Sequence, residues 1–155
     1  MLVHSATGGV GLAAINVARL LGAVAVFQRE VDACADEAPV LAAAHEPVEA
    51  LTRWLLRYTE FLATRQRLAT ALHSSDPAYS VLPGYFRQRF GPALGSLLEA
   101  ATANGEIRGD ISPEELLHAV SNLCLPGACE GPAYSQRMVA LLIDGLRYGA
   151  GTIIS

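Results

Sequence analysis

The sequence contains no lysine, so all 11 of its basic residues are arginine. Charged residues make up only 17% of the 155 positions, and the net charge is −4. An acidic chain with few cations lacks the basic surface that nucleic-acid binding requires, so we expect no direct DNA binding. The lack of lysine, together with abundant alanine, glycine and leucine, is typical of high-GC bacterial coding.

Long apolar runs and metal-ligand spacings are also missing. No run approaches the ~20 residues of a membrane span, although 52% of the residues are hydrophobic. The cysteines are odd in number and no signal peptide is visible, which indicates a reduced, cytoplasmic protein without membrane partners. The histidines lack metal-ligand spacing, and neither a nucleophile elbow nor a pair of carboxylates placed for acid–base work occurs. We therefore expect no metal, no cofactor and no enzymatic activity.

Hydrophobic spacing predicts amphipathic helices throughout most of the chain. The clearest begins near Leu51, where apolar residues recur at three- and four-residue steps over six turns. It should end at residues 73–77, because proline disfavours helix in the residue before it. A helix over residues 24–35, which could continue an earlier one, and a turn or two over residues 40–44 should precede it.

Three more helical regions follow. Residues 79–104 are punctuated by Pro83-Gly84 and Gly91-Pro92, which predicts a short helix, a longer helix and a glycine stop at Asn104-Gly105. Ser112, Pro113 and Glu115 form a complete capping box that begins a helix over residues 113–125. A loop over residues 126–132 and a last helix over residues 134–148 complete an all-α domain.

The first 23 residues have a different character. The string VHSATGGVG (residues 3–11), followed by a helical pattern, has the order strand, glycine loop and helix, in which backbone N–H groups approach a pyrophosphate. It resembles the nucleotide-binding segment of medium-chain reductases, in particular the enoyl-reductase domains of polyketide synthases. No further βα units follow, so we treat residues 1–23 as an incomplete domain. A fragment of an NADPH-dependent reductase is the alternative function.

Residues 24–155 are expected to form the main domain. The strings LATAL (68–72), YFRQRF (85–90), GEIRGDISPEEL (105–116) and DGLR (144–147) carry a resemblance over about residues 26–150. They resemble the C-terminal domain of tetracycline-repressor-type (TetR family) transcriptional regulators. The resemblance implies an antiparallel helical bundle that binds an effector and dimerises. The family's helix-turn-helix DNA reader should come before Phe27, but residues 1–23 contain only one arginine, Arg19, and resemble no recognition helix.

The last helix suggests a dimer independently, because residues 138–143 and Leu146 are apolar on more than one face. A symmetric dimer would cover the second face, and the resemblance implies that the last two long helices pair with their mates. The predicted interface residues are Leu117, Val120, Ser121, Met138, Leu141, Leu142 and Leu146. An ordinary buried helix, or pairing with a full-length regulator, is the alternative to a homodimer.

A ligand pocket is predicted where aromatic residues gather on two facing helices. The aromatic candidates are Trp54, Tyr58, Phe61, Phe86 and Phe90, and the polar candidates are His73, Asn122 and Cys124. Apolar pockets with few polar groups are typical of small-molecule sites, so the expected effector is small and apolar or amphipathic. For each of these residues, plain core packing is the alternative.

Overall fold

The computed structural model describes residues 2–72, 82–124 and 131–150, and within these ranges it contains helices and no strand. The prediction of an all-α fold is therefore confirmed. No helix in the described part is long and apolar enough to cross a membrane. The helices are α1 (Leu2–Ala44), α2 (Pro47–Leu72), α3 (Leu82–Ala103), α4 (Pro113–Leu123) and α5 (Gly131–Arg147).

Helix α2 lies at the centre of the bundle and contacts each of the other four helices. It begins at Pro47, about one turn before the predicted start, because proline is tolerated in the first turn of a helix, where its missing N–H leaves no helical bond unmade. Its apolar stripe is buried as the spacing predicts, with Leu51, Trp54 and Leu55 fully enclosed. The predicted stop at residues 73–77 lies outside the described residues.

The prediction of a strand and a glycine loop at the start of the chain is wrong. Residues 2–44 form one continuous helix, which also passes through Pro39. A lone strand would leave its backbone groups unpaired, whereas a helix satisfies them internally. Val31, Cys34 and Ala38 are buried on one side of α1 before Pro39, and Leu41 packs against the same core after it. A continuous helix keeps these residues on one stripe, so their burial favours helix through the proline.

The predicted break at Gly91-Pro92 is wrong, because residues 82–103 form a single helix, α3. Proline inside a helix costs about 3 kcal/mol. Phe90, Leu94 and Leu97 are fully buried on one side of α3, and burial of each such side chain contributes roughly 1.5–3 kcal/mol. The burial therefore outweighs the proline, whose ring lies on the exposed side.

The predicted glycine stop after α3 is confirmed. Gly105 has a positive φ of 73°. Its N–H donates to the carbonyl of Thr102 at 3.0 Å, and the N–H of Glu106 donates to the carbonyl of Ala101 at 3.1 Å. These two bonds form a Schellman motif, which satisfies carbonyls that the end of the helix would otherwise leave free.

The capping box before α4 is also confirmed. The Ser112 hydroxyl accepts from the Glu115 N–H at 3.1 Å, and the Glu115 carboxylate accepts from the Ser112 N–H at 2.8 Å. Helix α5 begins at Gly131, three residues before the predicted start, and Gly131 has a φ of 78°. The intervening loop predicted from residue 126 lies largely outside the described residues.

Candidate effector site

Six aromatic rings form one continuous cluster between α1, α2 and α3. Their centroids lie 4.9–6.2 Å apart, in stacked, tilted and edge-to-face arrangements. Each such pair contributes about 0.5–1.5 kcal/mol beyond its buried area. The cluster contains the single tryptophan and all four phenylalanines of the chain, and its members are Phe27, Trp54, Tyr58, Phe61, Phe86 and Phe90.

Part of this cluster borders a cavity of about 160 Å³ between α2, α3 and α4. Tyr58, Phe86 and Phe90 line the cavity. Trp54 and Phe61 lie behind them in the protein core, where they are 0% and 2% exposed. The structure therefore brings the five predicted aromatic residues together but presents only three of them to the cavity.

The cavity wall on α4 is joined to α2 by a hydrogen bond. The hydroxyl oxygens of Tyr58 and Ser121 lie 2.9 Å apart. Burial raises the pKa of the Tyr58 phenol, and the hydrogen bond from Ser121 partly offsets this shift. Tyr58 is therefore a neutral hydrogen-bonding group at physiological pH, suited to recognising a ligand rather than to transferring a proton.

Charged and polar side chains complete the wall of the cavity. They are Arg65, Arg87, Glu114, His118 and Ser121, and the apolar side chain of Leu117 lines the same wall. The guanidinium carbon of Arg65 lies 5.1 Å from the centroid of the Phe86 ring, a cation–π contact. The cavity thus combines an aromatic floor with a charged rim.

The polar residues predicted for the pocket do not occupy this wall. Asn122 is exposed and does not line the cavity, and His73 lies outside the described residues. Cys124 is half-buried near Ser135, and burial raises the pKa of its thiol. Helical spacing could have found the α4 wall, because Glu114, His118 and Ser121 share one face, whereas Asn122 is rotated by about 100° from Ser121.

Helix α5 carries two apolar stripes. Val139, Ile143 and Leu146 pack into the protein core. Met138, Leu141 and Leu142, at the i, i+3 and i+4 positions of the other stripe, are exposed or half-buried, and Leu141 is 61% exposed. The outward stripe borders a groove of about 500 Å³ between α4 and α5.

The predicted interface residues therefore have three different environments. Val120 and Leu146 lie in the core of this chain, which leaves their side chains no surface for a partner. Leu117 and Ser121 line the cavity between α2, α3 and α4. Met138, Leu141 and Leu142 form the outward stripe of α5, and Leu141 is the most exposed of the predicted interface residues that are apolar.

The buried thiol of Cys34 has the properties of a core residue. The side chain is fully enclosed, and burial raises the pKa of the thiol to about 12. Because the thiolate is the reactive form of cysteine, Cys34 is chemically inert in the folded chain. Among the residues that the structure describes, no group of three or more metal-ligating side chains is close enough together to hold a metal ion.

Comparisons with known proteins agree with this architecture. The family model of the SbtR-like transcriptional regulator C-terminal domain matches residues 46–148. The crystal structure of the TetR transcriptional regulator SCO0520 from Streptomyces coelicolor is similar, with a TM-score of 0.64 and 28% sequence identity over 78% of this chain and 70% of that chain. A search of curated proteins gives no match.

The chain therefore belongs to the family of SbtR-like C-terminal domains of transcriptional regulators. The prediction of a TetR-type effector-binding and dimerisation domain is confirmed at the level of the family. The reductase alternative is not supported, since the described residues contain no strand and the glycine-rich segment is part of α1.

Proposed function

We propose that the chain binds a small effector in the cavity between α2, α3 and α4, and that it pairs with a second copy of itself through α5. The observation that carries the effector site is the cavity itself, bordered by Tyr58, Phe86 and Phe90 in a regulator domain. Small-molecule sites are concave and mostly apolar, with a few polar groups that fix the orientation of the ligand. The apolar body of the effector would pack on the three rings.

The homodimer is supported by the outward stripe of α5. Leu141 is more than half exposed and lies beside the half-buried Met138 and Leu142. An amphipathic surface helix needs only one apolar face, so a second one favours burial against another chain. A symmetric pairing would place the stripe of one copy against the same stripe of its mate.

The remaining expectations are part of the same proposal. We assign residues 1–23 to an N-terminal segment that is not a complete domain, and residues 24–155 to the helical domain. We propose that this chain acts as a cytoplasmic regulator rather than an enzyme and does not bind DNA directly. The net charge of −4 supports the absence of DNA binding.

The effector site is tested by filling the cavity. Leu117 lines it and is half-buried, so Leu117→Trp should occupy much of its volume. We expect a panel of single-ring compounds to raise the melting temperature of the wild type but not of Leu117→Trp. Leu117→Met, which conserves volume, is the matched control and should keep the response. Equal responses of Leu117→Trp and the wild type would contradict this site.

The dimer is tested by light scattering of the full chain. We expect a mass of twice 16.3 kDa, and a monomer for Leu141→Glu, which places a charge in the paired stripe. Val40→Glu is the matched control, because Val40 is 65% exposed and lies on α1. A wild-type monomer, or a Leu141→Glu dimer, would contradict pairing through α5. Co-purification with a longer regulator would instead favour a heterodimer.

A further inference from the structure

We propose that the effector is a small organic acid whose single ring or short apolar body lies on Tyr58, Phe86 and Phe90, and whose carboxylate meets Arg65 and Arg87. This inference rests on the proposed effector site and specifies the chemical class of its ligand. Three observations carry it: the volume of the cavity, the two arginines at its wall that form no ion pair within the described residues, and the position of its carboxylate.

The volume suits a ligand of about one ring. The cavity measures about 160 Å³. An apolar cavity of about 150 Å³ in another protein holds one benzene molecule. A flat ring also suits the stacked rings of Phe86 and Phe90, whose centroids lie 5.9 Å apart with planes inclined by 10°.

Two arginines at the cavity wall have no carboxylate partner among the described residues. Arg53, Arg57, Arg89 and Arg108 each form an ion pair with a carboxylate. Across residues 2–72, 82–124 and 131–150, no such pair involves Arg65 or Arg87. What sets these two apart from the other arginines without an ion pair is that both line the cavity. They give the cavity wall donors for an anion, and a guanidinium matches a carboxylate in bidentate geometry.

The acidic residue at the wall does not neutralise these arginines. The carboxylate of Glu114 lies against α3 at Gly91, where an added Cβ would be 3.7 Å from Glu114 Oε1. No ion pair within 4.0 Å joins it to Arg65 or Arg87 in the described residues. Two cations and one anion therefore line the cavity, and an anionic ligand balances their charge. His118 adds a ring N–H that can donate to the same group.

The test compares three single-ring probes of similar size whose polar groups are anionic, neutral and cationic. Benzoate, benzyl alcohol and benzylamine are titrated into the full chain, and their dissociation constants are measured from NMR chemical-shift changes. We expect benzoate to bind about tenfold or more tightly than benzyl alcohol, since a hydrogen bond to a charged group is stronger than a neutral one. Benzylamine should bind most weakly.

Charge-removing variants identify the residues responsible. Arg65→Gln and Arg87→Gln should each weaken benzoate binding about tenfold and weaken benzyl alcohol binding much less. Arg53→Gln is the matched control, because Arg53 lies on α2 outside the cavity and pairs with Glu49. It should change neither affinity.

The outcomes separate this inference from the proposed effector site. Preference for benzoate that both cavity variants reduce supports an anionic ligand. Equal binding of benzoate and benzyl alcohol, or a preference for benzylamine, overturns the anionic class while the cavity remains a binding site. If none of the three probes shifts a resonance of a cavity residue, both the inference and the proposed effector site are overturned.

Discussion

Tyr58 and Ser121 lie 63 positions apart in the chain, yet their hydroxyl oxygens are 2.9 Å apart. The bond joins the central helix α2 to α4 at the wall of the cavity. Both residues line the cavity, so the same pair that joins the two helices also lies at the proposed effector site. If the proposal is correct, stability and ligand binding are linked at this position.

A double-mutant cycle on this pair should show coupling. Tyr58→Phe and Ser121→Ala each remove one hydroxyl and leave the other without this partner, so each should lower the free energy of unfolding by about 1 kcal/mol. The double variant should cost less than the sum of the two. Urea denaturation measures all four chains. Strictly additive losses would show that the two hydroxyls stabilise the chain independently of each other and would contradict the coupling.

The single tryptophan should be a strong determinant of stability. Trp54 is fully buried and donates its ring N–H to the carbonyl of Cys34 at 2.9 Å, which joins α2 to α1. Trp54→Phe removes this bond and part of the buried ring, so we expect a loss of about 2 kcal/mol in urea denaturation. Tyr148→Phe is the control, because Tyr148 is 83% exposed and should change stability by less than about 0.5 kcal/mol. Similar small effects for both variants would contradict this role.

The stability of the chain should fall at alkaline pH, partly through Cys34. Burial raises the pKa of its thiol from 9.0 to about 12 in the folded chain. Below pH 9 the thiol is protonated in the folded and in the unfolded chain, so its contribution to the free energy of unfolding is fully present. Between pH 9 and 12 only the unfolded thiol ionises, and the free energy of unfolding falls by at most about 1.4 kcal/mol per pH unit.

Cys34→Ala should therefore lose less stability between pH 8.5 and 10 than the wild type does. The comparison uses the slope of the unfolding free energy against pH, because the substitution also lowers its level by creating a cavity. Tyr58 contributes in the same direction at higher pH, since burial raises the pKa of its phenol as well. Identical slopes for the two chains would show that Cys34 ionises equally in both states.

Gly105 should not tolerate a side chain. Its φ of 73° lies in the left-handed region, where alanine costs about 1–2 kcal/mol relative to glycine. Gly105→Ala should lower the free energy of unfolding by about that amount. Gly22→Ala, inside α1 with no atom within 4 Å of an added Cβ, should leave it unchanged or raise it by up to about 1 kcal/mol. In thermal unfolding, Gly105→Ala should melt at a lower temperature than the wild type, and Gly22→Ala should not.

The helices that have strong local signals could be predicted from sequence. The capping box at Ser112 and the glycine stop at Gly105 depend on neighbouring residues, and the structure forms both motifs. Continuous helices through Pro39 and Pro92 could not be predicted in this way. There the local cost of proline is outweighed by the burial of residues against helices that are distant in sequence.

The site shows the same division between local and distant effects. The aromatic floor was predictable because Tyr58, Phe86 and Phe90 lie on apolar helix faces. The charged wall was not predicted, because Arg65 and Arg87 look like ordinary solvated residues of α2 and α3. Both side chains are exposed, and only the packing of α4 against these helices places them at the wall of a cavity.

Binding of the effector in the cavity between α2, α3 and α4 can be tested by mapping where a ligand binds. NMR chemical-shift changes are measured across the full chain during titration with benzoate and with benzyl alcohol. We expect changes centred on Tyr58, Phe86, Phe90 and Ser121, with little change in the groove between α1 and α3 near Pro39. Changes centred on that groove or on the outward stripe of α5, or no saturable change at all, would contradict binding in the cavity.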